Sequence, residues 1–99
     1  MTGLLLMALL ARPTAVASWY DPKPAHVRMY GTQLLAAHRT IRPSTKVWVE
    51  NVRTGRRVLV TVCGTGPFVR GRDWDLSRAA FRRIELPSRG LCRVRWRVR

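Results

Sequence analysis

The chain has 99 residues, room for one domain and no more, and carries 19 Lys and Arg against five Asp and Glu, a net charge of +14 at neutral pH. Such a field draws polyanions and disfavours cationic partners. No pair of His, Cys or acidic residues stands at metal-ligand spacing, so neither a metal nor another cofactor is expected.

In chain order, Gly3 to Ala11 is a nine-residue apolar run, far short of the roughly 20 residues that span a bilayer. Arg12-Pro13 follows, then Ala15-Val16-Ala17, an A-x-A cleavage pattern. The stretch therefore reads as a secretory signal peptide over residues 1–17, cut after Ala17, with no stable membrane span. Its n-region lacks Lys and Arg, and no cysteine lies near the cut to accept a lipid. The expected domain is 18–99, small enough to benefit from a staple. Export places Cys63 and Cys92 in an oxidising compartment, where a Cys63–Cys92 disulfide would contribute about 3–4 kcal/mol. Two buried thiols packed as small hydrophobes are the alternative. Nucleic acid is the usual partner for this charge, but an exported chain meets anionic wall polymers first, so no specific nucleic acid is expected.

Ser18-Trp19-Tyr20 opens a first strand, stopped by the turn-prone Asp21-Pro22-Lys23-Pro24. Residues 25–45 are mixed, with a short apolar run at Leu34-Leu35-Ala36-Ala37. Lys46 to Val52 and Arg57 to Val62 read as the arms of a β-hairpin around Arg53-Thr54-Gly55-Arg56. Gly64-Thr65-Gly66-Pro67 is a tight connection. Asp75-Leu76-Ser77 opens a short helix with Leu76, Ala80 and Ile84 on one face. The last strand alternates strictly, Cys92, Val94, Trp96 and Val98 against Arg93, Arg95, Arg97 and Arg99, one face core and one face a basic ladder. Several short strands with one short helix predict a mainly β fold, a small closed barrel.

These segments resemble a known family. Ala17-Ser18-Trp19-Tyr20 is similar to the ASWY opening of the RlpA (rare lipoprotein A) domain, and Ala36-Ala37-His38-Arg39-Thr40 to its AAHRT motif. Asn51 to Val58 resembles its N-x-x-x-G-R-x-V hairpin. Gly66-Pro67-Phe68-Val69, Gly71-Arg72 and Asp75-Leu76-Ser77-Arg78-Ala79-Ala80 resemble its GPFVxGRxxDLSRAA block. The resemblance runs from residue 17 to the end. It implies a six-stranded double-psi β-barrel, in this chain with one short helix, and lytic cleavage of peptidoglycan glycan strands by a secreted or periplasmic, wall-associated monomer.

The site departs from the family pattern. The family carries an acidic pair in a T-A-S-G-E segment before AAHRT, whereas this chain has no Asp or Glu between Asp21 and Glu50. The Asp of the family's N-D-R-G-P-F falls on Gly64. A lytic transglycosylase still needs one placed proton donor, because the sugar's own hydroxyl attacks and no water is activated. The candidates left are Asp21, Glu50, Asp73, Asp75, Glu85 and His38, and of these His38, from AAHRT, is one of the two preferred. Asp75 is the other, because the D-L-S motif of expansin-like barrels carries an essential acid; an N-cap role for Asp75 is equally open. Trp19 and Tyr20 are candidates to stack on sugar, and Arg39, Arg70 and Arg72 to meet carboxylates or phosphates. The expected function is that of a divergent RlpA-like lytic transglycosylase. A non-catalytic or expansin-like wall-binding barrel is the alternative.

Overall fold

The computed structural model describes residues 14–99; the apolar run of the expected signal peptide lies outside them. Six strands close into one barrel in the order β1-β5-β2-β4-β3-β6: β1 Ala15–Tyr20, β2 Leu35–Ala37, β3 Lys46–Asn51, β4 Arg57–Gly64, β5 Trp74–Ser77 and β6 Cys92–Val98. The β1–β5 and β2–β4 pairs are parallel, so each needs a crossover, and the remaining pairs are antiparallel. The expected hairpin is β3–β4, with Val49 opposite Val58 and Trp48 opposite Leu59. Its inward row of Val47, Val49, Val58, Val60 and Val62 is buried with Leu76, Trp74, Phe81 and Val94, each such side chain stabilising by about 1.5–3 kcal/mol. The alternation of β6 holds at Cys92 and Val94 and fades at its end, where Val98 is 54% exposed.

The fold corrects the expectation of a single helix. Helix α1 spans Pro24–Tyr30, where the Pro-rich segment had read as a turn. Pro24 sits in the first helical turn, where its missing N–H would be unpaired in any residue, and Gly31 closes the helix at φ 68°. Helix α2 spans Arg78–Ile84 and starts three residues later than expected. Asp75 is in β5, and the N-cap is Ser77, whose Oγ accepts from Ala80 N at 3.2 Å and from Leu35 N at 3.1 Å. The capping alternative for Asp75 is thereby removed.

The expected Cys63–Cys92 bridge is not made. Both thiols are free and buried, on β4 and β6, which β3 separates. Cys63 Sγ lies 3.4 Å from Tyr20 Oη, and Cys92 Sγ donates to Arg93 O at 3.7 Å. Burial beside Glu85 pushes the Cys92 thiol up to about 11, so it stays protonated and inert.

Behind the hairpin turn, Asn51 is 1% exposed and binds both ends of its surroundings. Its Nδ2 donates to Ile84 O and Glu85 Oε2, and its Oδ1 accepts from Arg53 N. Arg53 Nη2 donates to both Glu85 oxygens, at 2.9 and 2.7 Å. That pair, with Leu86 N, holds the Glu85 carboxyl at about 2 rather than 4.5. A depressed folded-state value means stability that is complete above the unfolded value and lost as pH falls through the folded one. Wild-type Tm should therefore drop between about pH 5 and pH 2, while Glu85→Gln melts lower at neutral pH and loses less across that window. Parallel Tm-against-pH curves for the two proteins would remove Glu85 from this role.

Candidate active site

The barrel brings four positions into one row. Ser18 on β1 pairs with Asp75 on β5, Asp75 with Ala37 on β2, and Ala37 with Gly64 on β4. Side chains directly opposite one another share a face of the sheet, so Ser18, Asp75 and any side chain at position 64 look out on the same side. Asp75 is half-buried there. Its Oδ1 accepts from Ser18 Oγ at 3.1 Å, and its other oxygen has no hydrogen-bond partner among the described residues. Burial raises the Asp75 pKa; the Ser18 hydrogen bond and the Arg72 charge oppose that shift without cancelling it. Tyr20 Oη and Cys63 Sγ complete the cluster, and burial together with the Cys63 contact raises the phenol pKa as well. Asp75 is thus a half-buried carboxyl whose protonated form is favoured by burial.

One residue along, at the mouth of the barrel, lies a cavity of about 720 Å³ lined by Thr14, Ala15, His38, Asp73, Trp96, Arg97 and Val98. The His38 ring packs against Trp74 and Trp96, with centroids 4.5 and 5.6 Å away. Its Nδ1 accepts from Thr40 N at 3.2 Å and Ile41 N at 3.3 Å. Two backbone donors on one nitrogen leave the ring proton on Nε2. Burial and the Arg39 charge lower the His38 pKa, against the opposing pull of Asp73. The imidazole offered by the sequence as acid or base is thus held neutral, as an Nε2–H hydrogen-bond donor.

Asp73, one of the acidic residues left as candidates by the sequence but given no role there, lines this cavity. Both its oxygens are occupied, Oδ2 by Val16 N at 2.9 Å and Oδ1 by Arg39 Nη2 at 3.3 Å. It clamps β1 to the loop after β2, each oxygen accepting one hydrogen bond. Arg39 extends the clamp by donating to Pro67 O and Arg72 O, which ties the His38 cavity to the loop that carries Arg72 towards Asp75.

The other candidates separate. Tyr20 and Arg72 lie in the Asp75 cluster. Arg70 is exposed, with no ion pair or hydrogen bond among the described residues. Trp19 is a correction: its Nε1 donates to Pro87 O at 2.9 Å, and the Arg78 guanidinium lies 4.7 Å from its ring centroid. That ring is packed against the core, because Trp19 falls on the inward phase of β1, and it is held away from the Asp75 cluster. Trp96 takes its place in the list, as the aromatic wall of the cavity. The strict alternation of β6 marked it as core, and nothing in that pattern shows where a strand reaches the barrel mouth.

A family model described as lytic transglycolase matches residues 13–96. The chain belongs to that family, the RlpA-like double-psi β-barrels. The endolytic peptidoglycan transglycosylase RlpA of Pasteurella multocida is 42% identical over 86 residues, covering 81% of this chain and 29% of that protein. The probable endolytic peptidoglycan transglycosylase RlpA of Synechocystis is 40% identical over 85 residues, covering 80% and 26%. The chain spans less than a third of the length of these relatives. The barrel also superposes on the apo expansin of Clavibacter michiganensis, with TM-score 0.71 and 16% identity over 87% of this chain and 49% of that one. An Asp→Asn variant of that expansin in complex with cellohexaose gives 0.66 and 16% over 88% and 50%. At such identity the expansin likeness bears on the fold alone.

Within the RlpA-like pattern, Gly64 stands where the N-D-R-G-P-F motif has Asp. A Cβ added at Gly64 would meet only the Ala37 Cβ, at 4.0 Å, an ordinary contact. Position 64 lies two strands from Asp75 across β2, about 10 Å between backbones. Gly64→Asp is therefore expected to fold with a Tm within a few degrees of wild type. On a lytic reading of the barrel, it is also expected to raise turnover on peptidoglycan by about tenfold or more. A Gly64→Asp protein of normal stability and unchanged turnover would show that the lost carboxylate is not what limits this barrel.

Proposed function

We propose that this chain is an exported, wall-associated lytic transglycosylase that cleaves peptidoglycan glycan strands with Asp75 as its single acid–base group. One observation carries the reading: a half-buried carboxyl with a raised pKa, one oxygen oriented by Ser18 and the other with no hydrogen-bond partner among the described residues. The relatives named for peptidoglycan transglycosylase activity supply the substrate class.

The reaction balances with one carboxyl. Protonated Asp75 gives its proton to the glycosidic oxygen as the bond to C1 breaks. The C6 hydroxyl oxygen of the same muramic residue bonds to C1, and its proton returns to the Asp75 carboxylate. No water is consumed, so the missing second carboxylate costs rate rather than abolishing the chemistry. His38 Nε2–H donates to a sugar oxygen, and Trp96 offers the ring against which the sugar packs. The Arg72 charge tempers the acid.

The test is mass spectrometry of soluble products after incubating the purified chain with peptidoglycan. Products ending in 1,6-anhydro-muramic acid are the expected result. Folded protein that sediments with sacculi yet releases no such products would overturn the lytic reading. It would favour the second one, a non-lytic expansin-like barrel, for which the substitution of Gly64 is the supporting observation.

A further inference from the structure

The outer face of the adjacent strands β4, β3 and β6 carries a concentration of positive charge with no ion pair among the described residues, and one of its arginines, Arg97, also lines the cavity described above. The phase that points Val47, Val49, Val58, Val60 and Val94 inward points Lys46, Trp48 and Glu50, then Arg57, then Arg93, Arg95, Arg97 and Arg99 outward. The register places Trp48 between Leu59 and Arg97, and Glu50 between Arg57 and Arg95. Glu50 is the single carboxylate among these seven charged side chains, and it makes no ion pair among the described residues. The four ion pairs of the described residues all lie elsewhere, at Arg39–Asp73, Arg53–Glu85, Arg78–Asp21 and Arg89–Glu85.

The face is organised by neutral contacts instead. Lys46 Nζ donates to Thr61 Oγ1 at 3.0 Å, Arg93 Nη1 to Thr14 Oγ1 at 3.0 Å, and the Arg57 guanidinium lies 5.9 Å from the Trp48 ring centroid. Arg95 Nε is buried with no hydrogen-bond partner among the described residues. Arg93, Arg95 and Arg97 on alternate positions of β6, continued by Arg99 just past its end, form a row with a repeat of about 6.8 Å. A planar guanidinium at each step suits phosphate better than a point charge does.

We propose that the outer β4-β3-β6 face binds a linear polyol-phosphate polymer of the cell envelope, laid along the arginine row of β6, at a site separate from Asp75. The wall reading above enters only in the choice of polymer. Nucleic acid fits the face less well, because its one aromatic, Trp48, is covered by Arg57 and leaves no platform on which successive bases could stack.

The experiment measures binding of purified poly(glycerol phosphate) to the full chain as salt is varied. It compares Arg57→Gln/Arg93→Gln/Arg99→Gln with a control lacking the same charge elsewhere, Arg28→Gln/Arg82→Gln/Arg83→Gln. All six side chains are exposed, so both proteins should fold. The face variant is expected to bind at least tenfold more weakly, with the slope of log K against log salt reduced by about 2. The control should shift less than threefold, and Asp75→Asn should bind as wild type. Equal weakening in face variant and control would overturn the proposal, since total charge would then suffice. So would tighter binding of a single-stranded oligonucleotide of equal charge that is lost in the same face variant. Product release from polymer-free sacculi is read separately, so failure of the lytic reading leaves this binding test intact.

Discussion

Asp75→Asn is expected to reduce formation of anhydro-muropeptides by about 10²–10⁴-fold while leaving the barrel folded. The amide oxygen of Asn can still accept from Ser18 Oγ, and the helix cap belongs to Ser77, so no structural hydrogen bond of β5 depends on the charge. The pH dependence is specific. Activity requires the protonated carboxyl, and burial lifts its pKa, so kcat/KM should fall with rising pH above the ordinary Asp range. Ser18→Ala removes a hydrogen bond that lowers this pKa and should move that limb to higher pH, a shift that a merely structural role for Ser18 would not produce. The stability sign is opposite to that of Glu85. A raised folded-state pKa favours the folded protein at low pH, and that contribution is lost as pH rises through the folded value. Asp75→Asn removes the loss, so its Tm at neutral pH should equal or slightly exceed wild type. An Asn variant with normal melting and full activity would sink the assignment of Asp75 as the acid.

The parts of this molecule that sequence reveals are those with a period or a motif. The β3–β4 hairpin and β6 alternate with a period of two because each has one face in the barrel. The D-L-S and AAHRT segments carry their residues to the site whatever the surrounding loops do. The rest depends on pairings distant in sequence. Asp73 lies beside the cavity because β5 runs parallel to β1, 57 residues away, and no local pattern encodes that contact. Trp19 and Tyr20 are neighbours on one strand, yet one is packed on the core and the other faces Asp75. The alternation of β1 separates them, and its phase is fixed only by the pairing of Ala17 with Trp74. The thiols show the same limit: export chemistry allows a bridge, and the strand order keeps β4 and β6 apart. Helix α1 was hidden by its own signals, because two prolines before a short run read as a turn as readily as a helix start.

The strand pairing also gives the position of any N-terminal cut a measurable consequence. The expected cut after Ala17 falls inside β1, and the pairing of β1 with β6 consists of Ala15 with Val94, Val16 with Arg93 and Ala17 with Cys92. Those three residues are the seam that closes the barrel. A chain beginning at Ser18 keeps the β1–β5 partners Ser18, Trp19 and Tyr20 but has nothing to set against β6. It also loses the hydrogen bonds of Val16 N to Asp73 Oδ2 and of Asp73 N to Val16 O, and the buried Ala15 and Ala17. Ladder hydrogen bonds of about 1 kcal/mol each and two buried alanines sum to on the order of 5 kcal/mol, comparable to the whole stability of a small domain. Thr14–Arg99 is therefore expected to melt cooperatively, and Ser18–Arg99 to be largely unfolded at 37 °C or to melt at least 15 °C lower. Equal melting of the two proteins would mean that the barrel closes without this seam and that a cut after Ala17 leaves a complete domain. A large difference would mean that processing at that alanine opens the barrel.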